Sequence, residues 1–289
     1  LEADPTRRSG VAPGEGEFAM KVPRLVIAGA ASGCGKTTVA TGIIAALGRL
    51  GLVVQPFKAG PDYIDPGYHS LAAGRPSRNL DTWILGTQAV IELFCRSASG
   101  CDLALVEGVM GLFDGFSTGA EEGSTAHLAK VLGAPVILVV DASGMAQSAA
   151  AMVEGYQRFD PGLQLAGVFF NNVGGPRHYR LLKEAVESRT GVRSVGYLAR
   201  DDALKLPERH LGLVPGAEVV ELEPLLDRLA EKVLSSLNIE GLLELARNSP
   251  SLDPGEPAIF REPRPRTVRI GVARDQAFSF YYQDSLDLL

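Results

Sequence analysis

Residues 22–50 read VPRLVIAGAASGCGKTTVATGIIAALGRL, and the order of elements in this stretch decides the fold. Its first half is a short aliphatic run, which predicts a buried strand over 24–29. Its second half places Val39, Ile43, Leu47 and Leu50 at helical spacing. Between them, Ala30-Ala31-Ser32-Gly33-Cys34-Gly35-Lys36-Thr37 joins strand to helix. Glycines in such a turn let the backbone wrap a phosphate, and successive N–H groups at the helix N-terminus hold its charge. A lysine in this position reaches the β- and γ-phosphates, and the following hydroxyl suits a magnesium ion. The segment therefore predicts a nucleotide-binding P-loop formed by Ser32, Gly33, Cys34, Gly35, Lys36, Thr37 and Thr38. Ala30 stands where the usual pattern begins with glycine, and Gly29 lies one place earlier.

Outward from this loop, aliphatic runs recur near 53–57, 103–106, 135–141, 165–170 and 194–198, separated by segments of helical period. That alternation is the signature of βαβ units, and strands apolar on both faces need helices on both sides. The expected fold class is α/β: a doubly wound, mainly parallel sheet of the P-loop NTPase type. A further amphipathic helix is expected over 222–237, where Leu222, Leu225, Leu226, Leu229 and Val233 share one face. Residues 1–21 read as a disordered lead-in without a signal-peptide core, 22–247 as the nucleotide-binding domain, and the proline-rich 248–266 as an extended linker. Thr267 to Ala273 then reads as a new strand and 275–289 as a helix, the opening of a second domain over 267–289.

Composition narrows the function. Of 289 residues, 46% are hydrophobic, enough for a packed core, and 28 Lys and Arg against 34 Asp and Glu give a net charge of -6. Such a chain has no general attraction to nucleic acid or to an anionic membrane surface. No apolar run is long enough to span a bilayer. Three cysteines without a CxxC pair argue against a disulfide framework or a zinc knuckle and fit a reducing cytosol. Cys34 sits at a helix start, where a thiol can be activated, but a small side chain that fits a tight loop is the simpler account. Cys95 and Cys101 have no nucleophile-elbow surroundings.

Doubly wound sheets open their ligand crevice at the C-terminal ends of the strands, so carboxylates there are the candidates for phosphoryl chemistry. Two segments supply them. LALVEGVMGLFDG runs directly into Glu107, the place for a metal-coordinating acid, and reaches Asp114 seven residues later. FKAGPDYIDPGYH carries Lys58, Asp62 and Asp65 on a Gly/Pro-rich loop, followed by His69. His127 lies on an expected helix, either as a partly buried residue or as a substrate contact; His178 and His210 have no assigned chemistry, and the four histidines do not suggest a zinc site.

These segments, GAASGCGKTT, FKAGPDYIDPGYH, SRNLDTW, VEGVMGLFDG, GSTAHLAKVLGAPVILVVDAS, GVFFNNVGGPRH and VGYLARDDALKLPERHLGLV, closely resemble the cobyrinic acid a,c-diamide synthase family, in order from Val22 to Leu213. The stretch from Thr267 resembles the opening of that family's class I glutaminase domain. The resemblance implies ATP-dependent amidation of the a and c side-chain carboxylates of a cobyrinate or hydrogenobyrinate macrocycle in cobalamin biosynthesis, through an acyl phosphate, with ammonia drawn from glutamine. The implied cofactors are ATP and Mg2+.

Carried onto this sequence, the resemblance implies catalytic roles for Lys36, Asp62, Glu107 and Asp114, and metal binding by Thr37, Asp62 and Glu107. Asn171 and Asn172 are implied contacts to the nucleotide base, and Tyr63, Ile64, Asp65 and His69 contacts to the substrate. A large flat substrate suggests an open cleft, shared in a homodimer or with a further domain. The glutaminase signature is missing from this sequence, so the chain is expected to use free ammonia. Related enzymes that amidate nickel-sirohydrochlorin share these motifs and remain an alternative, as do cobyric acid synthase and dethiobiotin synthetase. ATPase switches of the MinD and ParA kind are the alternative of a different class, but they carry an extra lysine where Ala30 stands and need a membrane-binding segment.

Overall fold

The computed structural model describes residues 20–117, 119–209, 212–213, 222–261, 265, 267–275 and 278–289. Residues 1–19 of the expected lead-in, and His210, lie outside them. In chain order the elements are β1 (Arg24–Gly29), α1 (Lys36–Arg49), β2 (Val54–Ala59), α2 (Asp65–Ala73), β3 (Arg78–Leu80), α3 (Thr87–Ala98), β4 (Leu103–Glu107), α4 (Thr125–Val131) and β5 (Val136–Asp141). There follow α5 (Ser148–Phe159), β6 (Leu165–Val173), α6 (Pro176–Thr190), β7 (Arg193–Ala199), a short antiparallel pair β8 (Glu208–Arg209) and β9 (Gly212–Leu213), α7 (Leu222–Leu234), α8 (Ile239–Arg247) and α9 (Gln283–Leu288).

Seven strands form one sheet in the order β3-β2-β4-β1-β5-β6-β7, and every pairing in it is parallel. The chain is thus a doubly wound P-loop α/β fold. Alternation along each apolar strand feeds two cores. Val26 and Ala28 of β1 join Phe57, Val106, Leu138 and Phe170 under α3, α4, α5 and α6. Leu25 and Ile27 join Leu105, Val139 and Phe169 under α1, α7 and α8. Because all seven strands run the same way, Gly29, Ala59, Leu80, Glu107 and Asp141 end along one edge of the sheet. That edge carries the site.

The aliphatic strand β1 hides a charge. Arg24 is fully buried, and its guanidinium donates to the carbonyls of Leu132 (2.5 Å), Val22 (3.1 Å) and Pro250 (2.7 Å). Burial pulls its pKa down to about 10, and the three acceptors replace the water it has lost. The proline-rich segment is accordingly laid along the body instead of spanning a gap. Met20 and Leu252 form a two-way backbone bridge, and the Glu92 carboxylate accepts from the N–H groups of Ala258, Ile259 and Phe260 at 2.6–2.8 Å.

Three local expectations need correction. Asp65 does not lie in a loop but opens α2, which Asp62 caps by accepting from the N–H of Ile64 (2.8 Å) and of Asp65 (3.2 Å). Residues 267–273 make no strand ladder, since the alternating Val268, Ile270 and Val272 have no neighbouring strand among the described residues and stay exposed. The helix expected over 275–289 is confined to α9, which docks through Asp284 and Asp287, each 2.5 Å from Arg78.

Candidate functional site

The P-loop follows β1 as the sequence requires. Gly33 and Gly35 have φ of 76° and 90°, the left-handed region that only glycine enters without strain. A Cβ at Gly29 would lie 2.7 Å from Cys34 Sγ and 2.8 Å from Lys36 Cδ, so this glycine supplies the close approach that Ala30 cannot. Cys34 is buried against that turn. The Tyr156 hydroxyl donates to the carbonyl of Ala30, bracing the loop from α5. Lys36 Nζ turns back to the carbonyl of Ala31 at 3.5 Å.

At the start of α1, the Thr37 hydroxyl donates to Glu107 Oε1 at 2.7 Å and lies 3.3 Å from Asp65 Oδ2. Glu107 is fully buried at the end of β4. Beside it Lys58, also buried, places Nζ 3.1 Å from Glu107 Oε1, 2.6 Å from Asp65 Oδ2 and 3.8 Å from Asp62 Oδ2, and donates to the carbonyl of Gly108 at 3.0 Å. Parallel register explains the meeting, because Lys58 of β2 pairs with Glu107 of β4. His69 of α2 completes the cluster with Nε2 2.6 Å from Glu107 Oε2.

The cluster sets its own protonation. Burial alone would raise the Glu107 carboxyl, but Lys58, His69 and Thr37 outweigh it and hold it far below the usual carboxylate range. For Asp65 the balance goes the other way: burial, then the Glu107 charge, raise it to about 6 although Lys58 opposes them. Burial would lower the Lys58 ammonium, yet Glu107, Asp65 and Asp62 raise it, so it stays charged. Lys58 is thus an ammonium set among the carboxylates of Glu107, Asp65 and Asp62.

Hard oxygen donors of this kind suit Mg2+. No group of three or more His, Cys, Asp or Glu among the described residues forms an all-protein metal cage. Magnesium does not require one, since it keeps water and phosphate oxygens and takes one or two protein ligands. Thr37 and Glu107, with Asp65 and Asp62 beside them, fit that demand.

The remaining candidates fall in different places. Ser32 is exposed on the P-loop, and Thr38 is partly buried in the first turn of α1. Asp114 is exposed and caps its own turn, accepting from the Gly111 N–H at 2.8 Å. Asn171, expected at the nucleotide base, is buried and donates from Nδ2 to the carbonyl of Cys34 at 3.0 Å, packing under the P-loop. Asn172 adopts φ 55° and donates to Asp141 Oδ2 at 3.0 Å, at the end of β5. His69, expected to meet substrate, is fully enclosed and faces Glu107 instead. Ile64 packs partly buried against the small cluster of Tyr68, Leu206, Leu222, Leu225 and Leu226. Tyr63 is partly covered, its ring stacked on Tyr282 (4.4 Å) and Phe280 (5.3 Å) from the C-terminal segment. His178 joins the turn after β6 to the segment before α5, accepting from the Gly174 N–H at 3.0 Å and meeting the Met145 carbonyl at 2.6 Å.

Lys58 is the site residue that sequence reasoning left without a role. The available signal was a lysine next to the end of a short strand-forming run.

The match to known families bears on the same residues. A family model described as the CobQ/CobB/MinD/ParA nucleotide binding domain matches residues 25–214. The chain belongs to this family. Its curated relatives include proteins named cobyrinate a,c-diamide synthase from two strains of Dehalococcoides mccartyi, 48% and 49% identical over 272 residues. Another of that name, from Priestia megaterium, is 46% identical over 266 residues. These alignments take in 92–93% of this chain but only 57–59% of each relative, so the chain spans less than two thirds of the proteins it matches. Among solved structures, FtsY from Mycoplasma mycoides is 14% identical with a TM-score of 0.48, covering 81% of this chain and 69% of that one. No helix among the described residues is long and apolar enough to cross a membrane.

Proposed function

We propose that this chain is the ATP-dependent amidoligase part of an enzyme that converts the a and c side-chain carboxylates of a cobyrinate or hydrogenobyrinate macrocycle to amides in cobalamin biosynthesis. The observation that carries the reading is the Lys58–Glu107–Asp65 cluster joined to Thr37 of the P-loop, in a chain nearly half identical to cobyrinate a,c-diamide synthases.

A carboxylate is a poor acceptor for an amine, so it must first be activated. One of its oxygens attacks the γ-phosphorus of ATP, the bond from that phosphorus to the β,γ-bridging oxygen breaks, and ADP leaves. The product is an acyl phosphate. Ammonia then attacks the acyl carbon, phosphate leaves with its bridging oxygen, and the nitrogen loses one proton. Phosphoryl transfer of this type depends on positioning and charge neutralisation. The glycine turn of the P-loop cradles the phosphates, and Lys36 swings from the Ala31 carbonyl onto the β- and γ-oxygens. Thr37 and Glu107 would hold magnesium, which when bound supplies further neutralisation of the triphosphate. Lys58 fixes Glu107 and Asp65 in place, and Asp62 and Asp114, at the mouth of the crevice, orient the acceptor. In the whole enzyme the ammonia comes from glutamine.

The test is mass spectrometry of cobyrinic acid and of its cobalt-free analogue after incubation with this chain and MgATP, supplied with ammonium or with glutamine. Mono- and diamide from ammonium support the reading, and the preferred corrinoid identifies the substrate. Amidation of nickel-sirohydrochlorin alone would move the activity to another tetrapyrrole. ATP hydrolysis without amidation of any tetrapyrrole would overturn the reading.

A further inference from the structure

The SRNLDTW segment, residues 77–83, has so far no part in the chemistry. Most of its polar side chains turn inward and brace the crevice. Asn79 donates from Nδ2 to the carbonyls of Gly60 (2.9 Å) and Asp62 (2.7 Å), fixing the loop that carries Asp62. Asp81 is buried and accepts from the N–H groups of Trp83 and Ile84, both at 2.9 Å. Thr82, also buried, accepts from the Gly123 N–H at 3.3 Å and lies 3.0 Å from His127 Nδ1. The residue these contacts present outward is Trp83.

Trp83 is 58% exposed and meets the ring of Phe116, itself 55% exposed, at 5.4 Å between centroids and a tilt of 33°. Phe116 comes from the loop that follows β4 and contains Asp114. The pair therefore sits at the C-terminal edge of β3 and β4, on either side of the strand end that carries Lys58 and the Asp62 loop. Two large rings stay more than half exposed on a hydrogen-bonded framework, and such a surface marks a binding site. Its place fixes what it binds. In-line phosphoryl transfer puts the acceptor opposite ADP, and the acceptor side of the Thr37–Glu107 pair leads toward β2 and β3.

We infer that Trp83 and Phe116 form the seat for one face of a flat tetrapyrrole macrocycle, holding it so that a side-chain carboxylate reaches the Asp62–Glu107 end of the crevice. The inference rests on the amidation reading for the identity of the ligand. Broad ring contact recognises a large conjugated face, and the carboxylates around its rim stay free for the charged end of the site. His127, through Thr82, belongs to the frame of this seat and positions it without touching the ligand.

The experiment is equilibrium binding of cobyrinic acid, with a non-hydrolysable ATP analogue present, to the wild-type chain and to Trp83→Ala, Phe116→Ala and Trp83→Phe, alongside ammonium-driven amidation by each. Both aromatic positions are exposed, so truncation leaves the core intact, and unchanged thermal melting and ATP-analogue affinity verify this. The seat predicts that macrocycle binding weakens about tenfold or more in both alanine variants and substantially recovers in Trp83→Phe. Because Trp83 is the chain's single tryptophan, its emission must also lose acrylamide accessibility when the macrocycle binds. Wild-type affinity in both alanine variants would overturn the seat and leave the amidation reading standing. Binding that depends on both rings, without amidation, would sustain the seat and overturn the amidation reading. No binding by the wild-type chain would overturn the seat.

Discussion

The Lys58 ammonium lies 2.6 Å from Asp65 and 3.1 Å from Glu107, with only 3% of the lysine side chain exposed. It is the internal counter-charge of the site. Replacing it with methionine leaves two carboxylates facing each other inside the protein, and losing one partner of a buried pair costs about 3–5 kcal/mol. Lys58→Met is expected to lower stability by that order in urea titration. If Lys58→Met melts within a degree of wild type, the ammonium is not what holds the cluster together.

The two carboxylates give opposite pH signatures. Glu107 is depressed in the fold, so its contribution is present above its unfolded pKa, near 4.5, and is lost as pH falls below that. Asp65 is raised to about 6 from 3.8, so the folded chain binds its proton more tightly, and that contribution fades as pH rises from about 4 to 6. With 1.36 kcal/mol per pKa unit, the Asp65 effect is on the order of 3 kcal/mol at most. Urea titrations of wild type and Asp65→Asn between pH 3.5 and 7 should differ in slope, the variant lacking the decline across pH 4–6. Parallel curves would mean that Asp65 titrates as it does in the unfolded chain.

Gly35 and Asn171 form a fitted pair. A Cβ on Gly35 would come within 2.1 Å of Asn171 Nδ2, and its φ of 90° is strained for any other residue. Gly35→Ala is expected to abolish MgATP binding. Asn171→Ala removes the bond to the Cys34 carbonyl and should weaken MgATP binding by about tenfold, through a looser loop, at a stability cost of roughly 1–3 kcal/mol. Isothermal titration with MgATP separates the two. Unchanged MgATP affinity in Asn171→Ala would show that this bond does not hold the loop.

The C-terminal segment is clasped at two points, the ring stack on Tyr63 and the ion pairs of Arg78 with Asp284 and Asp287. Arg78→Ala should speed amide exchange across residues 278–288 by at least tenfold, and Tyr63→Ala added to it should speed exchange further. If exchange there is already unprotected in the wild-type chain, the clasp is not formed in solution.

The P-loop, the strand alternation and Glu107 were legible because each leaves a local mark: glycines before GKTT, continuous apolar runs, an acid where such a run stops. The rest depends on register. Lys58 meets Glu107 only because β2 lies beside β4, a neighbour far off in sequence. β3 has three residues, too few for a periodicity. His69 reads as one more polar residue near acids until α2 turns it inward. Asn171, implied as a base contact, lies beneath the loop from β1 because β6 brings it there. The exposed Trp83 closes the SRNLDTW motif, but its partner Phe116 sits 33 residues away and their contact has no sequence signal.

Arg24 also sets where this fold can be cut. Its acceptors come from the turn after α4 and from Pro250, and Ser249 donates its hydroxyl back to the Arg24 carbonyl at 3.1 Å. A gene trimmed at Arg247, where the last helix of the body ends, would strip a buried guanidinium of one acceptor and the Arg24 carbonyl of its Ser249 donor. The usable seam for excising the unit, or for grafting it onto another protein, lies beyond Phe260, where the backbone has finished crossing α3.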